Sequence, residues 1–119
     1  MAVCKHFPGH GDTEIDSHNA LPELNFDRAR LDSIELYPFK KAVEAGIGGV
    51  MVGHLHAPSL GDGPASISQE VIMHTLIDEL RFHGLVVTDA LEMKGIAGHD
   101  DVCARALIAG TMWFYLLVI

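Results

Sequence analysis

The stretch G-L-V-V-T-D-A-L, from Gly84 to Leu91, decides the fold. Leu85 to Thr88 is a short apolar and β-branched run bounded by a glycine, and Asp89 follows it at once. A continuous apolar run, rather than an alternating one, predicts a strand covered on both faces. Upstream, Val71, Ile72, Leu76, Ile77 and Leu80 recur at helical spacing, with Gly84 placed to stop the helix. Ser66 and Gln69 fit a capping box at its start. Further back, Ile47 to Val52 is a second apolar run. Arg28 to Ala45 before it reads as helical in two parts, with Pro38 opening the second and Gly46 closing it. Ala2-Val3-Cys4 reads as the end of another strand. Downstream, Asp100 or Asp101 caps a helix through Ala109 that Gly110 closes, and Thr111 to Ile119 reads as a buried strand.

Strands alternating with helices define an α/β chain with a parallel sheet and right-handed crossovers. About four strands are expected from 119 residues. A complete (β/α)8 barrel takes about 250 residues. The expectation is a partial (β/α)8 TIM barrel of about four βα units, a single partial domain over residues 1–119.

Eight basic residues stand against 16 acidic ones, a formal charge of −8. Nucleic acid and anionic membranes call for a basic patch, so neither is an expected partner. The apolar tail from Thr111 is too short to cross a bilayer as a helix. Cys4 and Cys103 are expected as two reduced core thiols. No targeting segment is readable.

Barrels of this kind place their chemistry at the C-terminal ends of the strands. Asp89 stands at such an end, where a carboxylate serves as nucleophile or base. The alternative is a helix N-cap. The loop K-H-F-P-G-H-G-D-T-E-I-D-S-H, Lys5 to His18, follows the first strand. In it, Asp16 lies two residues from His18, a spacing that lets the carboxylate orient the ring and raise its pKa. Lys5 and His6 offer hydrogen-bond donors suited to hydroxyls, or form a structural pair. His54-Leu55-His56 puts two imidazoles on one side of an extended segment, so a metal site is a further candidate. His74, His83 and His99 read as surface or helix-end residues.

Taken together, these motifs resemble glycoside hydrolase family 3, in its β-N-acetylglucosaminidase branch, which trims peptidoglycan fragments. The likeness rests on the unbroken Lys5–His18 motif. Two further stretches add to it: G-G-V-M-V-G-H-L-H-A-P from Gly48 to Pro58, and G-L-V-V-T-D-A-L-E-M-K-G-I from Gly84 to Ile96. It covers about Lys5 to Gly110 and implies the C-terminal half of the catalytic barrel. Family members begin with elements that do not stand in this sequence, and the run after Thr111 departs from their pattern.

The resemblance implies Asp89 as catalytic nucleophile, His18 as general acid/base and Asp16 as its dyad partner. Lys5 and His6 would bind the sugar. It implies a retaining mechanism on N-acetylglucosaminides or muropeptide fragments, with no metal or organic cofactor. A bacterial cytoplasm and a periplasm both stay open. A histidine that has lost its proton is neutral, so phosphate as acceptor stays open beside water. Two rivals stand: a metal-dependent barrel hydrolase using His54 and His56, and an inactive remnant that self-associates through its open sheet edges.

Overall fold

The computed structural model describes residues 1–15 and 19–111. Three parallel strands form one sheet in the order β1 (Val3–Phe7), β2 (Gly49–Val52) and β3 (Leu85–Thr88). Val50 pairs with Cys4 on one side and with Val86 on the other. The β1–β2 register shifts between Cys4 and Phe7. The peptide bonds Lys5–His6 and Phe7–Pro8 are cis. The expected fourth strand falls mostly on residues 112–119, outside the described residues.

The β1–β2 connection is helical where its spacing predicts. Helix α1 (Arg28–Arg30) starts at Asp27, whose Oδ1 accepts the Arg30 N–H at 2.8 Å. A π-helical turn, Leu31–Glu35, follows, and then α2 (Tyr37–Glu44) with Pro38 in its first turn. Gly46 turns the chain out of the helix at φ +79°. Between β2 and β3 runs a π-helical element, Glu70–Glu79, in which the Leu80 N–H reaches the Thr75 carbonyl at 3.0 Å. Its apolar face is the expected one: Val71, Ile72 and Leu76 are buried, and Ile77 and Leu80 pack against them.

Both ends of that element differ from expectation. The hydroxyl at its start belongs to Ser68, which accepts the Val71 N–H at 3.4 Å, whereas Ser66 is engaged elsewhere. The helix ends five residues before Gly84, with Arg81 in the left-handed region at φ +56°. Gly84 has another duty. A Cβ on it would lie 2.5 Å from the Gly48 carbonyl oxygen and 2.6 Å from the Phe82 ring.

One face of the sheet carries the core. Phe7, Val50, Val52 and Val86 meet Leu31, Leu36, Phe39, Val71, Ile72 and Leu76. Burying each such aliphatic side chain contributes about 1.5–3 kcal/mol. Phe7 stands edge-on to Phe39, with ring centroids 5.1 Å apart. By register, Val3, Met51 and Val87 belong to the opposite face. There Val87 is buried, but Val3 is 40% exposed and Met51 half-buried, so the expected coverage of both faces is met at Val87 and not at Val3 or Met51.

Beyond β3, a turn and a 3₁₀ segment (Lys94–Ile96) lead to α3 (Val102–Ala109), preceded by Asp101 and closed by Gly110. Ala106 joins Ile67, Leu91 and Ile96 in a second, smaller apolar cluster. Both cysteines are free thiols. Cys4 packs against the core and burial pushes its pKa up, but Cys103 is exposed on α3 and is no core thiol. Among the described residues no helix is long and apolar enough to cross a membrane.

Candidate active site at the C-terminal ends of the strands

Asp89 is half-buried one residue past β3. Its amide continues the sheet register by donating to the Val52 carbonyl at 2.9 Å. Its Oδ1 accepts the Ala90 N–H at 2.9 Å, and its Oδ2 lies 3.4 Å from His6 Nε2. No helix starts at Ala90, and the next regular segment begins at Lys94. The carboxylate therefore caps no helix. It faces the end of β1, so the parallel sheet brings residues 6 and 89 together.

His6 and His10 lie edge to face, with centroids 6.1 Å apart, and His10 Nδ1 is 3.3 Å from the Thr13 hydroxyl. Lys5 is exposed at the same strand end. Together with His6, His10 and Glu35 it lines a pocket of about 520 Å³. Asp16 and His18 lie outside the described residues, so their dyad has no structural account here.

Residues that sequence reasoning passed over hold the long loop. Arg30 Nη2 donates to Asp12 Oδ2 at 2.8 Å and to Glu35 Oε1 at 3.0 Å, and its guanidinium lies 4.2 Å from the centre of the Phe26 ring. These two carboxylates keep Arg30 firmly protonated. Glu35 is buried. Gly9, at φ +136°, passes so close that a Cβ there would sit 2.9 Å from Glu35 Cβ. The glycine of the F-P-G-H-G turn thus admits the loop onto the half-buried Arg30–Glu35 ion pair. A charged residue in the 28–35 segment, where solvent-facing charge is ordinary, carries no signal of this.

The two histidines after β2 take different partners. His54 is fully buried, with Nδ1 2.7 Å from the Ser66 hydroxyl and Nε2 2.8 Å from the Ala90 carbonyl. Both ring nitrogens are thereby engaged. Burial lowers its pKa, against the raising effects of the Ala90 carbonyl and the Asp89 charge. His56 Nδ1 is 3.4 Å from Glu23 Oε1, on a segment that pairs the loop after β1 with the loop after β2. The pair does not converge on a common point. Among the described residues, no group of three or more His, Cys, Asp or Glu side chains is arranged to hold a metal ion.

A parallel sheet that brings an acid and an imidazole together at the C-terminal ends of its strands offers a place for nucleophilic or acid–base chemistry. The glycosyl hydrolase family 3 N-terminal domain matches residues 1–115, and the chain belongs to that family. Superposition on a family 3 β-N-acetylglucosaminidase from Paenibacillus sp. FPU-7 gives a TM-score of 0.93 at 41% identity, covering 96% of this chain and 23% of that one. NagZ from Neisseria gonorrhoeae, solved with N-trifluoroacetyl-D-glucosamine, gives 0.85 at 30% identity, covering 96% and 33%. The β-hexosaminidase of Chromobacterium violaceum is 36% identical over 106 residues, which is 89% of this chain and 30% of that protein. The chain thus spans about a third or less of the length of these relatives.

Proposed function

We propose that this chain is a piece of a retaining β-N-acetylglucosaminidase barrel, its three strands being consecutive strands of the C-terminal half, and that Asp89 is the nucleophile. The observation that carries the reading is the Asp89 carboxylate at the end of β3, 3.4 Å from His6 at the end of β1. The relatives' names supply the class of sugar, and the K-H-F-P-G-H-G-D-T-E-I-D-S-H loop supplies the acid/base.

In the first step a carboxylate oxygen of Asp89 bonds to the anomeric carbon as the bond to the aglycone oxygen breaks. His18, oriented by Asp16, gives that oxygen its proton. In the second step His18 takes a proton from water. The water oxygen bonds to the anomeric carbon and the Asp89 ester breaks. Lys5 and His6 donate to sugar hydroxyls, and peptidoglycan-derived fragments are the substrate class. Phosphate in place of water would give the sugar 1-phosphate.

Aryl N-acetylglucosaminides test this directly. Asp89→Ala is expected to abolish turnover. His18→Ala is expected to spare substrates with good leaving groups and cripple poor ones. Equal losses on both kinds would sink the acid role of His18, and full turnover by Asp89→Ala would sink the nucleophile. A product assay with and without phosphate separates the two acceptors.

A second reading has its own support in the half-open sheet face at Val3 and Met51 and in the short span relative to whole relatives. In it the chain is inert until other βα units, or a second copy, cover that face. Concentration-dependent mass without turnover would favour it.

A further inference from the structure

We propose that His54 is a positioning residue for Asp89, locking the turn that carries the carboxylate by holding the Ala90 carbonyl. The proposal rests on the reading of Asp89 as nucleophile. It adds a residue that touches neither sugar nor reacting atoms.

The argument is one of hydrogen-bond direction. A backbone carbonyl can only accept, so the 2.8 Å contact to Ala90 requires the proton on His54 Nε2. In the neutral ring Nδ1 is then an acceptor, and the Ser66 hydroxyl donates to it at 2.7 Å. Ser66 is fully buried in a 3₁₀ turn, Ala65–Ile67, that precedes the Glu70–Glu79 element. The imidazole therefore bridges the loop after β2, the turn before the next helix and the turn after β3.

Ala90 is gripped on both polar backbone groups. Its N–H donates to Asp89 Oδ1 at 2.9 Å and its carbonyl accepts from His54. Rotation of the Ala90 peptides would cost Asp89 its Oδ1 donor and His54 its acceptor together. With the Asp89 amide tied to Val52, the backbone is held on both sides of the carboxylate. The fully buried, doubly bonded ring reaches across these three segments, and the Ala90 carbonyl also accepts the Met93 N–H at 3.2 Å within its own turn. A site needs such support to hold a reacting group within about 0.5 Å.

Nitrogen-detected NMR of the chain, with His54→Phe, His54→Gln and Ser66→Ala, tests this without reference to turnover. His54 is expected as the Nε2–H tautomer. His54→Phe keeps the ring volume and removes both bonds, so the Asp89 carboxyl carbon and the His6 ring signals are expected to move. His54→Gln keeps a donor within reach of Ala90 and is expected to restore them. An Nδ1–H tautomer, or unmoved Asp89 and His6 signals in a folded His54→Phe, would overturn the proposal. If that variant fails to fold, unmoved signals in Ser66→Ala would do the same.

In an active form, His54→Phe is expected to lower kcat about 10- to 100-fold with KM little changed. The loss should be similar for good and poor leaving groups, unlike that of His18→Ala, and His54→Gln should recover most of it. A loss in KM alone would count against positioning. A wild-type chain that never cleaves even when joined to the remaining βα units of a barrel overturns the proposed function, while the spectra still decide the role of His54.

Discussion

Gly9→Ala is the sharpest test of how the long loop is seated. The new methyl would lie 2.9 Å from Glu35 Cβ, 3.2 Å from its Cγ and 3.3 Å from its Cα. Two of those atoms are fixed to the Leu31–Glu35 turn, and the buried carboxylate is held by Arg30, so the neighbour cannot swing aside. Overpacking of this kind costs about 1–3 kcal/mol. The backbone at φ +136° adds about 1–3 kcal/mol for any residue but glycine. The sum, about 2–6 kcal/mol, corresponds to a fall in Tm of about 8–24 °C for a domain of this size. Gly11→Ala is the control, since nothing lies within 4 Å of its added Cβ, and it should cost under about 0.5 kcal/mol. Paired thermal and urea melts measure both. A Gly9→Ala variant as stable as wild type would refute the seating of the loop on Glu35. Equal losses at both glycines would show a general loop effect instead.

Further outcomes follow from single side chains. Thr88 is buried and its hydroxyl has no hydrogen-bond partner among the described residues, so Thr88→Val, of equal shape, should raise stability by about 1 kcal/mol. A fall in the urea midpoint would mean that the hydroxyl is satisfied. Burial holds His54 below its ordinary pKa of 6.5, so below that pH the unfolded chain binds a proton that the folded chain refuses. The stability this neutral ring supplies is complete above about pH 6.5. It is lost as pH falls through the lower folded pKa, at no more than about 1.4 kcal/mol per pH unit. Urea melts between pH 7 and 5 should therefore show a shallower acid loss in His54→Gln than in wild type, and parallel profiles would contradict it. Arg30→Met should lower the Tm more than Asp12→Ala does, because it strips the buried Glu35 as well as the exposed Asp12. Equal falls would mean that Glu35 is stable without its partner.

The strands were legible because burial writes itself into composition: Val50, Val52 and Val86 stand where unbroken apolar runs predict. The two-part helix after the loop was legible through Pro38 and Gly46. What failed were residues with more than one use. Ser66 offers a capping hydroxyl but spends it on His54 across twelve residues of chain. Gly84 looks like a helix stop, but it stands where the Gly48 carbonyl leaves no room for a side chain. A one-dimensional pattern cannot separate a glycine needed for conformation from one needed for space. Asp89 was legible as a strand-end carboxylate, and its meeting with His6 follows from parallel pairing. The Arg30–Glu35–Asp12 clasp and the His54 bridge were not, because each joins segments whose closeness exists only after folding.

The hydrogen bond from the Asp89 amide to the Val52 carbonyl has a consequence for the timing of motion. Residues on active-site loops commonly exchange their amide hydrogens with solvent through small, frequent local openings. The Asp89 amide is instead the last rung of the β2–β3 ladder. Its deuterium uptake therefore reports the fraying of the strand end that carries the carboxylate, where the edge strand β3 meets the central β2. Its backbone thereby becomes a clock for the C-terminal end of the β2–β3 pair.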